Sequence, residues 1–341
     1  MHSVWPTGMI KRMDRKQSHI DLALEQTFAA GFDDIQLPHW ALPDFNFSAI
    51  DTRCQFLDFQ LAAPVMIASM TGGTAESAMI NRNLAEAAHE CGIALGVGSQ
   101  RISVEEKNDQ GISKHLRKWA GNAPLFGNVG LANLIQWADR NCLNRLAEQI
   151  GANAMIIHLN PMQEIFQDNG DTDWQGSIAC LYESIEHCEL PVIVKEVGMG
   201  ITPEVARICQ QAGASAIDVA GSGGTSFIAI EGALTKDARK QEAAKIFADW
   251  GYSTVQLLQL LQKQPVELPI IASGGIRSGL DIAKCLALGA SVTSIAGAIL
   301  AAARHSTADC ISVIEQLKYE LAIACWGTGC KNIAELKRVL L

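Results

Sequence analysis

Ala154-Met155-Ile156-Ile157-His158-Leu159-Asn160-Pro161-Met162-Gln163-Glu164 opens as an apolar run and closes on four side chains that can do chemistry. A strand buried on both faces reads this way, as a continuous apolar run rather than an alternation. Pro161 cannot donate to a ladder and ends the strand. His158, Asn160, Gln163 and Glu164 therefore gather at the strand's C-terminal end. In a closed barrel of parallel strands that end carries the active site. Alone, the same residues also describe a strand running into an ordinary polar loop, so the rest of the chain has to decide.

Similar short apolar runs recur on both sides of it. They lie at 65–69, 93–97, 124–128, 154–159, 191–196, 216–220, 269–273 and 293–296, with Pro191 opening the fifth, where proline is tolerated. Helical patterns lie between them, at 76–91, 131–150, 203–212 and 279–288. Thr202 reads as an N-cap with Pro203 at the first helical position, and Gly289 as a helix stop. Eight strands alternating with helices predict an α/β fold, a (β/α)8 TIM barrel with an N-terminal extension. A doubly wound open sheet is disfavoured because no G-x-G-x-x-G follows the first strand. The expected layout is a single domain over 1–341, with an extension at 1–63, a barrel at 64–304 and C-terminal helices at 305–341.

Composition agrees with one sizeable core. The 341 residues are 48% hydrophobic and 18% charged, too apolar for disorder. A net charge of -9 argues against a nucleic-acid partner. The longest apolar stretch, 295–303, is too short to cross a bilayer, and no secretory signal is read at the start, so no membrane is expected. Ten cysteines without a Cys-x-x-Cys pair read as buried thiols in a reducing cytoplasm.

Polar and glycine residues collect after the strands. Thr71 with Gly72 and Gly73, Ser99 with Arg101, Asn128, Lys195, Ser222-Gly223-Gly224-Thr225, Gly274-Gly275-Ile276-Arg277 and Ala296-Gly297 all fall on one face of the expected barrel. Glycine loops after the last two strands of such barrels commonly bind a phosphate through backbone N–H groups, and Arg277 adds charge. Lys195 stands in an otherwise apolar strand, where burial is costly without a partner or an anionic or electron-rich ligand. A Schiff-base role is one option. An ion pair with Glu196 is disfavoured, because adjacent strand residues point to opposite faces. Near the start, Arg15-Lys16 with His19 reads either as a phosphate or diphosphate clamp or as a solvated basic face.

These motifs together resemble the type 2 isopentenyl-diphosphate delta-isomerases, FMN-dependent barrel enzymes of isoprenoid biosynthesis. The resemblance rests on Arg15-Lys16-x-x-His19, Met70-Thr71-Gly72-Gly73, Gly98-Ser99-Gln100-Arg101 and His158-Leu159-Asn160-Pro161-x-Gln163-Glu164. It continues through Lys195-Glu196-Val197-Gly198, Gly221-x-Gly223-Gly224-Thr225-Ser226, Phe247-Ala248-Asp249-Trp250-Gly251 and Gly274-Gly275-Ile276-Arg277. The motifs run in the family's order over most of the chain. Ser69 departs mildly from the Gly or Ala of many relatives. The tail beyond Arg304 carries no motif.

The resemblance implies roles. FMN would be held by Ser69, Met70, Thr71, Ser99, Asn128, Lys195 and Thr225, with its phosphate at Gly274, Gly275, Ile276, Arg277, Ala296 and Gly297. Substrate would meet Arg15, Lys16, His19, Arg101, His158, Asn160 and Gln163. Glu164 would bind Mg2+. Gln163, His158 and Glu231, the last in the loop after the sixth strand, would be catalytic. The reaction would interconvert isopentenyl and dimethylallyl diphosphate on reduced FMN acting as acid and base, with NADPH as the flavin reductant, in a cytoplasmic homo-oligomer (tetramer or octamer). The competing expectation is an FMN barrel oxidoreductase of the 2-hydroxy-acid oxidase or dihydroorotate dehydrogenase type. That chemistry would want a histidine base near the sixth or seventh strand, and residues 219–225 contain none. An IMP-dehydrogenase-like enzyme would want a nucleophilic cysteine in the same loop, which has none. A non-catalytic flavin-binding barrel would have no use for Arg15, Lys16, His158, Gln163 and Glu164.

Overall fold

A computed structural model describes residues 21–23, 28–70, 75–105 and 112–340. Ten strands are defined there. A hairpin, β1 (Cys54–Phe56) and β2 (Phe59–Leu61), precedes the barrel strands. These are β3 (Val65–Ile67), β4 (Ala94–Gly96), β5 (Leu125–Gly130), β6 (Ala154–Leu159), β7 (Val192–Glu196), β8 (Ala216–Asp218), β9 (Ile270–Ser273) and β10 (Val292–Ile295). All eight pair in parallel, and β10 closes onto β3. The expected barrel is thus present, each strand within a few residues of its reading from sequence.

Period-two geometry sorts each strand into an inner and an outer face. Inside lie Met66, Ala94, Phe126, Ala154, Ile156, Ile193, Ala216, Ile271 and Val292, an apolar interior core. Outward residues such as Met155, Ile157, Val192, Val194 and Ile217 pack under the surrounding helices. Each fully buried large side chain contributes roughly 1.5–3 kcal/mol over an exposed one. The β1–β2 hairpin, unread in the sequence, supplies Phe56 and Leu61 to the interior core, with Phe59 packed beside them. Phe59 meets Phe126 at 6.3 Å between ring centroids, so the hairpin stoppers the N-terminal end of the barrel.

Local signals set the helices. Ser278 and Asp281 form a capping box at Gly279–Ala287. The expected helix at 131–150 is two, Leu131–Trp137 and Cys142–Ile150, because Ala138 adopts a left-handed conformation and caps the first. Thr202 does sit at the N-cap of Pro203–Gln211, but its side chain makes no capping bond to the helix backbone. After β8 two further helices, Phe227–Leu234 and Ala238–Phe247, are inserted before the barrel resumes. Phe166, Met199, Ile228 and Ala244 form a small core that binds them to the end of β6. Glu231 therefore lies on a helix, not in a loop. The motifless tail forms Thr307–Gly327, which packs against Ala75–Cys91 and Gly279–Ala287.

Candidate active site

The inner face changes character at the C-terminal end of the barrel. The next inward position on six strands is polar: Asn128 on β5, His158 on β6, Lys195 on β7, Asp218 on β8, Ser273 on β9 and Ser294 on β10. Register aligns His158 with Lys195 and Lys195 with Asp218. Above this polar layer opens a cavity of about 500 Å³. Ser69, Met70, Ser99, Arg101, Asn128, His158 and Asn160 line it, as do Gln163, Glu164, Lys195 and Thr225. Gly274, Gly275, Ile276, Arg277, Ala296 and Gly297 line the side nearest β9 and β10. Tertiary folding thus gathers seventeen of the expected site residues around one space. Arg15, Lys16, His19 and Thr71 lie outside the described residues. Ala23 lines the cavity, so the chain reaches the mouth shortly after the Arg-Lys motif.

Pro161 stands at the start of the short helix Pro161–Phe166, which turns Gln163 and Glu164 over the cavity. Glu164 is buried, at 6% exposure. Its Oε1 accepts from Asn160 Nδ2 at 2.7 Å and its Oε2 from the Asp171 backbone at 2.9 Å. Each oxygen keeps a further lone pair. Gln163 Nε2 donates to Glu231 Oε1 at 3.1 Å. Glu231 is buried at 1% exposure, outside the cavity wall and reached through Gln163.

His158 has an assignable tautomer. Asn128 Nδ2 donates to the Val97 carbonyl, which turns Asn128 Oδ1 toward His158 Nδ1 at 2.9 Å. Nδ1 is therefore the donor in the neutral ring, and Nε2 carries the lone pair. A Cβ on Gly130 would lie 2.8 Å from that Nε2, so the glycine makes room for the ring. Burial first, then the Lys195 and Arg101 charges, lower the His158 pKa from 6.5 to about 3. The folded ring is neutral where the unfolded chain, at about 6.5, takes up a proton. Stability is therefore lost as pH falls from about 6.5 toward 3, at up to about 1.4 kcal/mol per pH unit for one proton. His158→Asn is expected to remove that slope. Urea unfolding at pH 7.5 and pH 5 checks it, and parallel pH dependences in the two proteins would contradict it.

Lys195 donates to the Glu196 carbonyl at 2.8 Å and pairs with Asp218 Oδ2 at 3.7 Å. Glu196 does face away, as expected, and its Oε2 collects the backbone N–H groups of Val197, Gly198, Met199 and Gly200. Asp218 was missed from sequence. The available signal was the one that exposed Lys195, a charge at an inward position of an apolar strand.

The glycine loops pack against each other. Gly274 has φ 105 and Gly275 φ 74. A Cβ on Gly274 would sit 1.9 Å from the Gly221 carbonyl oxygen, and one on Gly275 would sit 2.5 Å from that of Gly223. Arg277 straps the two loops, donating to the carbonyls of Gly275 and Gly223. Around the cavity, Ser69 Oγ, Asn160 Oδ1 and Ser294 Oγ are buried without a hydrogen-bond partner among the described residues. An unsatisfied buried polar atom costs about 1–3 kcal/mol, so a cluster in a cavity wall points to a polar ligand. A glycine-lined, Arg-flanked end and a polar floor fit a phosphate-bearing ring system such as FMN. No cluster of three or more His, Cys, Asp or Glu suited to a metal occurs among the described residues. No described helix is long and apolar enough to cross a membrane. Burial raises the pKa of all ten cysteines, Cys209 and Cys325 to about 12, which fits inert thiols.

Residues 127–341 match the FMN-dependent dehydrogenase family. An isopentenyl-diphosphate delta-isomerase of Vibrio campbellii is 43% identical over 333 residues, covering 96% of this chain and 98% of its own. One from Methanothermobacter thermautotrophicus is 41% identical, covering 95% and 91%. Among solved structures, a mandelate oxidase mutant with (S)-mandelic acid superposes with TM-score 0.63 at 15% identity, covering 95% of this chain and 96% of that one. A Pediococcus acidilactici (putative) lactate oxidase gives 0.60 at 20% identity, covering 96% and 94%. At such identities the structural likeness speaks for the barrel alone. Near full-length identity above 40% speaks for more, and the chain belongs to the isopentenyl-diphosphate delta-isomerase family, enzymes here built on the FMN-dependent dehydrogenase barrel.

Proposed function

We propose that this protein interconverts isopentenyl diphosphate and dimethylallyl diphosphate, using reduced FMN and Mg2+. The observation that carries it is the convergence around one cavity of Gln163, hydrogen-bonded to the buried Glu231 behind it, the Glu164 carboxylate and the cations Arg101 and Lys195. FMN would be held by Ser69, Met70, Thr71, Ser99, Asn128, Lys195 and Thr225. Its phosphate would lie against Gly274, Gly275, Ile276, Arg277, Ala296 and Gly297. When bound, reduced FMN supplies an electron-rich face for developing positive charge and a ring nitrogen that exchanges a proton.

The chain's own residues do the rest. Arg101, with Arg15, Lys16 and His19 outside the described residues, offsets the diphosphate's charge. Mg2+ prefers a few carboxylate and phosphate oxygens and keeps waters. Glu164 alone, with a diphosphate, satisfies that. Asn160 Nδ2 is taken by Glu164, and its Oδ1 is buried without a hydrogen-bond partner among the described residues. Gln163 stands between the cavity and the Glu231 carboxylate, to which it donates, and that carboxylate holds or releases a proton. His158 walls the same space as a neutral acceptor. NADPH would serve only to reduce the flavin, since isomerisation has no net redox change. The active form would be a cytoplasmic homo-oligomer, tetramer or octamer. The fold would act as a single FMN-binding domain over 1–341, with 1–63 lending substrate contacts to the barrel at 64–304.

The test is an anaerobic assay of isopentenyl diphosphate with Mg2+ and FMN, first oxidised and then reduced by dithionite. Dimethylallyl diphosphate is expected only with reduced flavin. Failure in both states, with turnover of a 2-hydroxy acid instead, would replace this function by the oxidoreductase one.

A further inference from the structure

Lys195, in the floor of the cavity, and Asp218, buried beside it, are a matched pair of charges. Their side chains are 11% and 4% exposed. They sit at aligned positions of neighbouring strands, so the backbone itself holds them together. Asp218 is anchored from two further sides. Its Oδ1 accepts from Ser273 Oγ on β9 and from the Ala220 backbone N–H at 3.2 Å. Ala220 reaches that bond in a left-handed conformation, φ 41, which a non-glycine residue adopts at a cost. A carboxylate so fixed cannot swing away from the ammonium. Lys195 spends one donor on the Glu196 carbonyl and directs another toward Asp218, while its side chain lines the cavity.

We infer that Asp218 is a positioning residue that sets the electron affinity of the bound flavin by offsetting the charge of Lys195. This rests on FMN occupying the cavity, as argued above. Two-electron reduction leaves a flavin anionic at neutral pH. An unopposed ammonium in a poorly solvated wall favours that anion strongly. A fixed carboxylate beside it draws the ammonium back from the ring and so weakens that field. The reduced ring then keeps its electron density for its own chemistry instead of surrendering it to the wall. An ion pair serving only to join β7 and β8 would need no such exposure to the cavity.

The experiment is a redox titration of the FMN-bound protein, followed by flavin absorbance. In Asp218→Asn the preference for reduced over oxidised FMN is expected to rise about tenfold, a midpoint about 30 mV higher for a two-electron couple. Lys195→Met is expected to shift it the other way. Adding Asp218→Asn to Lys195→Met is expected to change little further, since the carboxylate acts through the ammonium. A midpoint in Asp218→Asn that is unchanged or lower overturns the inference, as does an equal shift with and without Lys195. If Asp218→Asn fails to fold, Ser273→Ala carries the test. Losing that hydrogen bond strengthens the carboxylate's field, so the midpoint should fall, and a rise or no change is the refuting result. Wild-type protein that binds no FMN refutes the cofactor assignment instead. A flavoprotein with the expected shifts but no isomerisation refutes only the proposed reaction.

Discussion

Glu231→Gln is expected to slow isomerisation by about 10²- to 10⁴-fold, the range general acid–base groups contribute, while FMN remains bound. The substitution keeps the shape and the oxygen that accepts from Gln163 Nε2 but can no longer exchange a proton at that position. Glu231 is nearly fully buried and sits on Phe227–Leu234, a helix whose N-cap Ser226 accepts from the Ala229 backbone. The helix is fixed to the end of β6 through the core of Phe166, Ile228 and Ala244. The carboxylate is therefore held in place rather than free to be replaced by a neighbour. Gln163→Leu should fall in the same range, because it cuts the link between the cavity and Glu231. Single-turnover isomerisation with pre-reduced FMN is the measurement, with the flavin spectrum as the control for retention. Rates within tenfold of wild type in both variants would remove the pair from the chemistry.

Gly275→Ala is expected to weaken FMN binding at least a hundredfold and to lower the melting temperature. The position combines φ 74 with a Cβ site 2.5 Å from the Gly223 carbonyl oxygen and 2.7 Å from Ala30 Cβ. Left-handed backbone alone costs an L-residue about 1–2 kcal/mol. The clash is with backbone, so the two glycine loops must separate, and they are the loops that Arg277 straps together. Gly176 is the control, at φ 79 with nothing within 4 Å of its Cβ site. Gly176→Ala should carry the backbone cost without loss of flavin. Fluorescence titration of FMN into both apo-proteins reads the difference. Equal FMN affinities would mean that the close loop packing is irrelevant to the cofactor.

Much of this was legible in the chain because strand formation and side-chain direction are local. Alternation along Ala154, Ile156 and His158 already dictates that the histidine shares a face with the core. Pro161 and the paired glycines end strands by their own backbone limits, and eight such endings in series allow few architectures other than a barrel. Lys195 betrayed itself the same way, as a charge no apolar strand carries without reason.

What the chain could not disclose depends on register and packing between distant segments. Asp218 became the partner of Lys195 only when β7 and β8 aligned them, while its neighbour in sequence, Glu196, turned to gather backbone N–H groups. The hairpin that stoppers the barrel was invisible because Phe56 and Leu61, on two three-residue strands, bury themselves only against a core built by eight other strands. Ala138 broke an expected helix without any glycine or proline to announce it. Which way the Asn160 amide turns was settled by the nearness of Glu164, one helical turn on. Local sterics thus determined the barrel and the face on which it works. The pairing of charges, the direction of each donor and the depth of Glu231 were decided by contacts that exist only once the chain has closed on itself.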